Sequence, residues 1–201
     1  MTVVDLGSTP QPRMLRVTVN DSPSQLAVEE EHISLDLLRF HSGRWALQLD
    51  SAFARRADQV VILAQGLACL AVAWWGQLSP CSYLRSVRGA VFISPITVDL
   101  NQIAAAASLR TGPKCHLPFP SVVVSDPIAQ IDQVLALADS WGSVFVPASV
   151  TAADCPTNRI ARPGGAEDIL LAYTAYLESS RAGLRSPAPH VQRSATPLLL
   201  R

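Results

Sequence analysis

The sequence predicts a three-layer α/β/α sandwich built on a mostly parallel β-sheet, and three observations carry that expectation. Val60-Val61-Ile62-Leu63 is a continuous β-branched and aliphatic run, the pattern of a central parallel strand covered on both faces. Directly after Gly66, the residues Leu67, Leu70, Ala71, Trp74 and Trp75 recur at helical spacing, so strand, sharp turn and helix follow one another within residues 60–75. Further β runs at 87–94 and 119–125 alternate with helical patterns, which calls for parallel strands joined by right-handed crossovers.

Length and composition set the outer limits. A chain of 201 residues supports one well-buried domain, since a second full domain would leave each part small. Hydrophobic residues make up 49% and charged residues 16%, with 16 bases against 16 acids, so bulk charge points to neither nucleic acid nor a membrane. Cys69, Cys81, Cys115 and Cys155 show no C-x-x-C spacing, which reads as reduced thiols rather than a disulfide framework or a zinc site. The N-terminus lacks the basic-then-apolar order of a signal peptide, and the apolar run 60–75 is too short for a membrane span. Cytoplasmic placement is expected, with no cofactor and no metal.

Residues 1–13, with Gly7, Pro10 and Pro12, read as a flexible lead-in. Met14 to Val19 forms the first strand, closed by the turn cluster Asn20-Asp21-Ser22-Pro23. Glu29-Glu30-Glu31 reads as a solvated face, and Ile33 to Leu38 as a second strand. A helix follows from Gly43, with Trp45, Leu49, Ala52 and Phe53 on one face and Arg55-Arg56 in its last turn, where cations suit the helix dipole.

Beyond the central unit, Val87 to Ser94 is a strand stopped by Pro95, and Leu100 to Leu109 is an alanine-rich helix starting near Asp99. Thr111-Gly112-Pro113-Lys114 is a loop. Phe119 to Ser125 is a buried strand, placing Asp126-Pro127 at its carboxyl end, where open α/β sheets keep their sites. Ile131 to Trp141 is an amphipathic helix, with Ile131, Val134, Leu135 and Ala138 on its apolar face and Gly142 as a C-cap. Val144 to Val146 is the last strand, and Ala166 to Leu177 the last helix. The domain therefore spans 14–178, and residues 179–201, rich in Ser, Pro and Arg without an acid, read as a disordered basic tail.

A strand-turn-helix unit of this kind is where α/β-hydrolases carry G-x-S-x-G, the elbow that lifts a serine above the sheet. Here the five positions read Ala64-Gln65-Gly66-Leu67-Ala68. With the runs Val87 to Pro95 and Leu117 to Pro127 and the helix ending Ala138-Asp139-Ser140-Trp141-Gly142, the chain resembles the small serine hydrolases like retinoblastoma-binding protein 9, across roughly residues 58 to 178. The resemblance implies a small α/β-hydrolase fold. It places the family's nucleophilic serine on Gly66, its acid on Asp126 and its histidine on Val150, so only the acid is retained.

Acyl transfer needs a nucleophile, a base within hydrogen-bond reach and a group orienting that base. Gly66 has no side chain to attack with, and Val150 cannot accept a proton. His32, His41 and His116 all precede Asp126, against the order Ser, Asp, His, and His190 lies in the tail. The glycine-rich turn expected after the first strand is replaced by Val19 to Ser24. The leading expectation is a catalytically inactive hydrolase-fold protein that binds a protein partner or a small ligand in a vestigial cleft of Gln65, Gly66, Leu67, Ser125, Asp126 and Ser149. The alternatives are a working serine hydrolase or esterase with a rearranged site using Ser125, Ser149 or Cys69, and an assembly subunit docking through its tail or a helical face. Cys69 is expected to sit one turn down the helix, facing the strands, as a small hydrophobe. Cys115-His116 is expected to be an ordinary loop, and Asp126 a cap for the helix after Pro127.

Overall fold

The structure, a computed structural model, describes residues 13–20, 31–54, 56–95, 112–125 and 130–148, with Ala107, Leu109 and helical residues at 169–171 and 173–175. Six strands form one sheet: β1 (Arg13–Val19), β2 (Glu31–Leu35), β3 (Val60–Gln65), β4 (Val87–Ile93), β5 (Ser121–Ser125) and β6 (Val144–Pro147). Their order is β2-β1-β3-β4-β5-β6, and all five pairings are parallel. The expected "mostly parallel" sheet is thus parallel throughout its described strands. Four helices are complete among the described residues: α1 (Trp45–Phe53), α2 (Leu67–Leu78), the single turn α3 (Cys81–Leu84) and α4 (Ile131–Trp141).

Alternation along the strands divides the core into two layers. Leu15, Val17, Ile62, Ala64, Ala90, Phe92 and Val123 pack on one face against α1, α2 and α4, which contribute Leu49, Phe53, Trp75, Val134 and Trp141. Val61, Leu63, Val91, Val122 and Val124 turn to the other face, where Ile169 is buried and Leu170 and Tyr173 pack on the cluster. Helical residues therefore lie on both faces, and full burial of each valine contributes roughly 1.5–3 kcal/mol. Aromatic contacts knit the first of these layers: Phe53 meets Trp75 at 4.6 Å between centroids, and Phe92 meets Trp141 at 4.9 Å, edge on. Trp75 also donates from Nε1 to Asp50 Oδ1 at 2.9 Å, fixing α1 on α2.

Five local expectations change. The second strand ends at Leu35 rather than Leu38, because Asp36 takes the Leu38 N–H on its carboxylate and starts a 3₁₀ turn over Leu37–Arg39. Arg56 lies past the end of α1 instead of in its last turn. Its guanidinium forks onto the Glu31 carboxylate, sits 3.9 Å from Asp58 and covers the Phe53 ring. A bidentate pair between a nearly buried guanidinium and a half-exposed carboxylate outweighs the roughly 0.3–1 kcal/mol that a dipole offers an exposed cation. Glu31 is accordingly paired rather than merely solvated, whereas Glu29 and Glu30 lie outside the described residues. On α4 the apolar stripe runs through Val134, Ala138 and Trp141, and Leu135 is 44% exposed. Gln130, not Asp126, stands at the N-cap of α4.

Gly142 closes α4 as expected, at φ 66°. Its N–H bonds to the Asp139 carbonyl and the Ser143 N–H to that of Ala138, the paired bonds of a Schellman cap. The segment before β5 is strapped down by side chains: Trp74 donates to the Leu109 carbonyl, Trp141 to that of Pro113, and Gln77 to those of Cys115 and His116. Of the helix expected at Leu100 to Leu109, only Ala107 and Leu109 are described, both helical. The lead-in before Arg13, the tail from 179 and half of the helix expected at 166–177 lie outside the described residues.

Gly89 shows how tightly β4 is covered. A Cβ there would fall 2.1 Å from Ile169 Cδ1 and 2.7 Å from the Pro120 carbonyl oxygen. Gly89→Ala is expected to cost about 1–3 kcal/mol through overpacking against backbone as well as side chain. Urea unfolding followed by tryptophan fluorescence measures this; an unchanged midpoint would remove the close approach from the account of the sheet.

Candidate functional site

The chain leaves β1 toward β2 and leaves β3 toward β4 on the other side, so the carboxyl ends of β1 and β3 form a topological switch point, the place where open α/β sheets bind ligands. Gly66 stands there, between β3 and α2, at φ 58° and ψ −127°. This is a region that glycine enters freely and that costs a residue bearing a Cβ of order 1–3 kcal/mol. The Gly66 N–H bonds to the Ile93 carbonyl at 3.0 Å, and its own carbonyl accepts from Cys69 N–H at 3.1 Å. As the N-cap, Gly66 offers α2 no side-chain oxygen. The N–H groups of Leu67 and Ala68, which have no acceptor within a helix, therefore start α2 uncapped by a side chain.

The neighbouring strands bring further groups to the same level. Gln65, exposed, ends β3 and pairs in register with Ile93. Ser94 follows β4 at φ 48°, its N–H on the Val124 carbonyl at 2.8 Å. Ser125 ends β5 and is buried, its carbonyl accepting from Ala148 N–H. The structure thus gathers Gln65, Gly66, Leu67 and Ser125 at the carboxyl side of the sheet, while Asp126, Ser149 and Val150 lie outside the described residues. Ser94 was not singled out from the sequence. It precedes Pro95, and a residue before proline favours extended backbone, so its left-handed turn gives no sequence signal.

At the end of β1, Asn20 adopts φ 53°; its N–H bonds to the Leu35 carbonyl, and its Oδ1 accepts from Leu37 N–H at 2.9 Å. This side chain ties β1 to the turn after β2 instead of facing a ligand.

Three side chains with nucleophilic potential have structural partners. Cys69 is fully buried, its S–H directed at the Ile93 carbonyl at 3.5 Å, and burial pushes its thiol well above the ordinary range. Its expected role as a small buried hydrophobe holds. Thr18 Oγ1 and His32 Nε2 lie 2.8 Å apart, a nucleophile-base distance, yet Thr18 is 3% exposed and on the sheet face opposite α2. The contact satisfies a buried hydroxyl. His116 is exposed, packs its ring against Gly142, and shares with Cys115 the Gln77 side chain, so the pair belongs to a pinned loop. Among the described residues, no group of three or more His, Cys, Asp or Glu side chains is placed to hold a metal, and no helix is long and apolar enough to cross a membrane.

An all-parallel sheet with a sharp strand-turn-helix junction at its switch point is an α/β-hydrolase-like architecture. The chain belongs to the serine hydrolase family, whose profile matches residues 18–152, from β1 through β6 and including the Gly66 junction. A solved structure from Pectobacterium atrosepticum, assigned as a YdeN-like hydrolase, is similar to it at 16% identity, with 68% of this chain and 76% of that chain covered and a TM-score of 0.47. No curated protein matches the chain in sequence.

The thiol geometry is open to direct measurement. Iodoacetamide applied to the folded protein is expected to modify the exposed Cys81 and Cys115 and to leave Cys69 untouched until denaturant is added. Peptide mapping before and after unfolding reads this out. Native labelling at Cys69 would show that the α2 packing opens.

Proposed function

We propose that this member of the serine hydrolase family works by binding rather than by acyl transfer, as an inactive relative of the compact hydrolases like retinoblastoma-binding protein 9. Gly66 carries the reading. It occupies the strand-to-helix turn where the resemblance expects a serine, with backbone angles suited to a glycine. The resemblance also puts Val150 at the position of the base, so two of three catalytic groups are missing from the sequence. Buried Cys69 and Thr18 supply no accessible replacement. The ligand, a protein partner or a small molecule, occupies the carboxyl-end cleft at Gln65, Gly66, Leu67 and Ser125, with Asp126 and Ser149 as the remaining sequence candidates. The setting is cytoplasmic.

One observation favours the rival, a working hydrolase with a rearranged site. Ser94 is half-exposed beside the Gly66 turn and is held at a positive φ, the kind of backbone strain that clusters at functional sites.

A fluorophosphonate probe and short p-nitrophenyl esters decide between them. The binding reading expects no labelled serine and no turnover above the uncatalysed rate. Labelling at Ser94 or another single serine, with turnover lost on its replacement, would establish the rival. Gly66→Ser alone is expected to lower stability by roughly 1–3 kcal/mol from its positive φ and to restore no activity without Val150→His.

A further inference from the structure

Among the described strands, β2 is the outer one of the sheet, beside β1. The Leu35 carbonyl turns inward and accepts from Asn20 N–H, so by alternation the backbone groups of Ser34 and Asp36 turn outward. Such outward groups are a template on which another chain can add a strand. Two of them, the Ser34 carbonyl and the Asp36 N–H, are occupied by one side chain. Gln48, on the second turn of α1, accepts the Asp36 N–H on Oε1 at 3.1 Å and donates from Nε2 to the Ser34 carbonyl at 3.3 Å.

The pattern has a specific meaning. In a parallel ladder, one residue of a neighbouring strand donates to the carbonyl of residue i−1 and accepts from the N–H of residue i+1. The Gln48 carboxamide does both around Leu35, and a carboxamide carries the same donor and acceptor as a peptide unit. We propose that Gln48 is a surrogate strand residue that closes the outer edge of β2 against a second copy of this chain.

A second copy is the occupant because each copy presents the same edge. Two such edges meet about a two-fold axis with identical groups on both sides. The surrounding turn holds the clasp in place: the Asp36 carboxylate takes Leu38 N–H and the Arg39 guanidinium, while Asn20 takes Leu37 N–H. Gln48 itself lies one residue before the buried Leu49, so its position on α1 is set by the core.

The test uses the full chain in light-scattering chromatography across a concentration series. Gln48→Ala is expected to strengthen self-association by about tenfold or more relative to the parent, the effect of freeing two backbone groups for intermolecular bonds. Adding Ser34→Pro is expected to return the chain to parental behaviour. The Ser34 N–H points outward, so proline leaves the β1 ladder intact while blocking an incoming strand. Amide exchange separates edge pairing from general loosening: in Gln48→Ala, Asp36 N–H exchanges faster at low concentration and is protected again as concentration rises. Unchanged association of Gln48→Ala would overturn the proposal, and so would a double variant that still associates like the single one.

Discussion

The carbonyl of Ile93 is the point on which the centre of the molecule turns. It accepts the Gly66 N–H and the Cys69 S–H together, so the end of β4 is keyed to both the turn after β3 and the first turn of α2. That keying holds the helix over Ile62, Ala64 and Phe92 and makes the Gly66 backbone angles a fixed property of the fold. Partial burial enforces it, because leaving this carbonyl or amide unpaired away from water would cost up to roughly 1–3 kcal/mol. The Ser94 N–H then bonds to the Val124 carbonyl, and the Ala148 N–H to that of Ser125, carrying the same stepwise locking across the ends of β4, β5 and β6.

Much of this architecture was legible in the sequence because hydrophobic period and turn chemistry agreed. Val60 to Leu63 is apolar on both faces and became a central strand with helical cover on each side, while Gly66 and Gly142 mark two of the turns whose positive φ angles glycine accepts. Errors fell where a single side-chain bond outvoted a periodic pattern. Asp36 ended β2 early by capping the following turn, and Arg56 left α1 to pair with Glu31, a partner 25 residues away. Leu135 satisfies the helical period on paper, yet Trp141 sets the buried stripe of α4 through its contact with Phe92 and its bond to Pro113.

The candidate site was legible in part: Gln65, Gly66, Leu67 and Ser125 stand out in the sequence, and the structure gathers them at the carboxyl side of the sheet. A glycine at the elbow and the order of the histidines are properties of the string itself. The engagement of Asn20 with Leu37, the left-handed turn of Ser94 and the Thr18–His32 contact are not, because each depends on strands that are distant in sequence being set in register. The same applies to Gln48, which looks like an ordinary polar residue on a helix until β2 is placed beside it.

Gly66 also separates the fold's needs from those of chemistry. An elbow serine has a reason to bear left-sided backbone strain only if that strain presents an oxygen to a substrate. A chain with glycine at the turn keeps the β3-α2 junction without that cost. The bonds at Ile93 require only a backbone N–H at position 66, which glycine supplies as well as serine does. Selection on the fold alone would therefore retain the sharp turn, the buried Cys69 and the sealed α2 layer, while making no such demand on the exposed Gln65 side chain, which the proposed binding role uses.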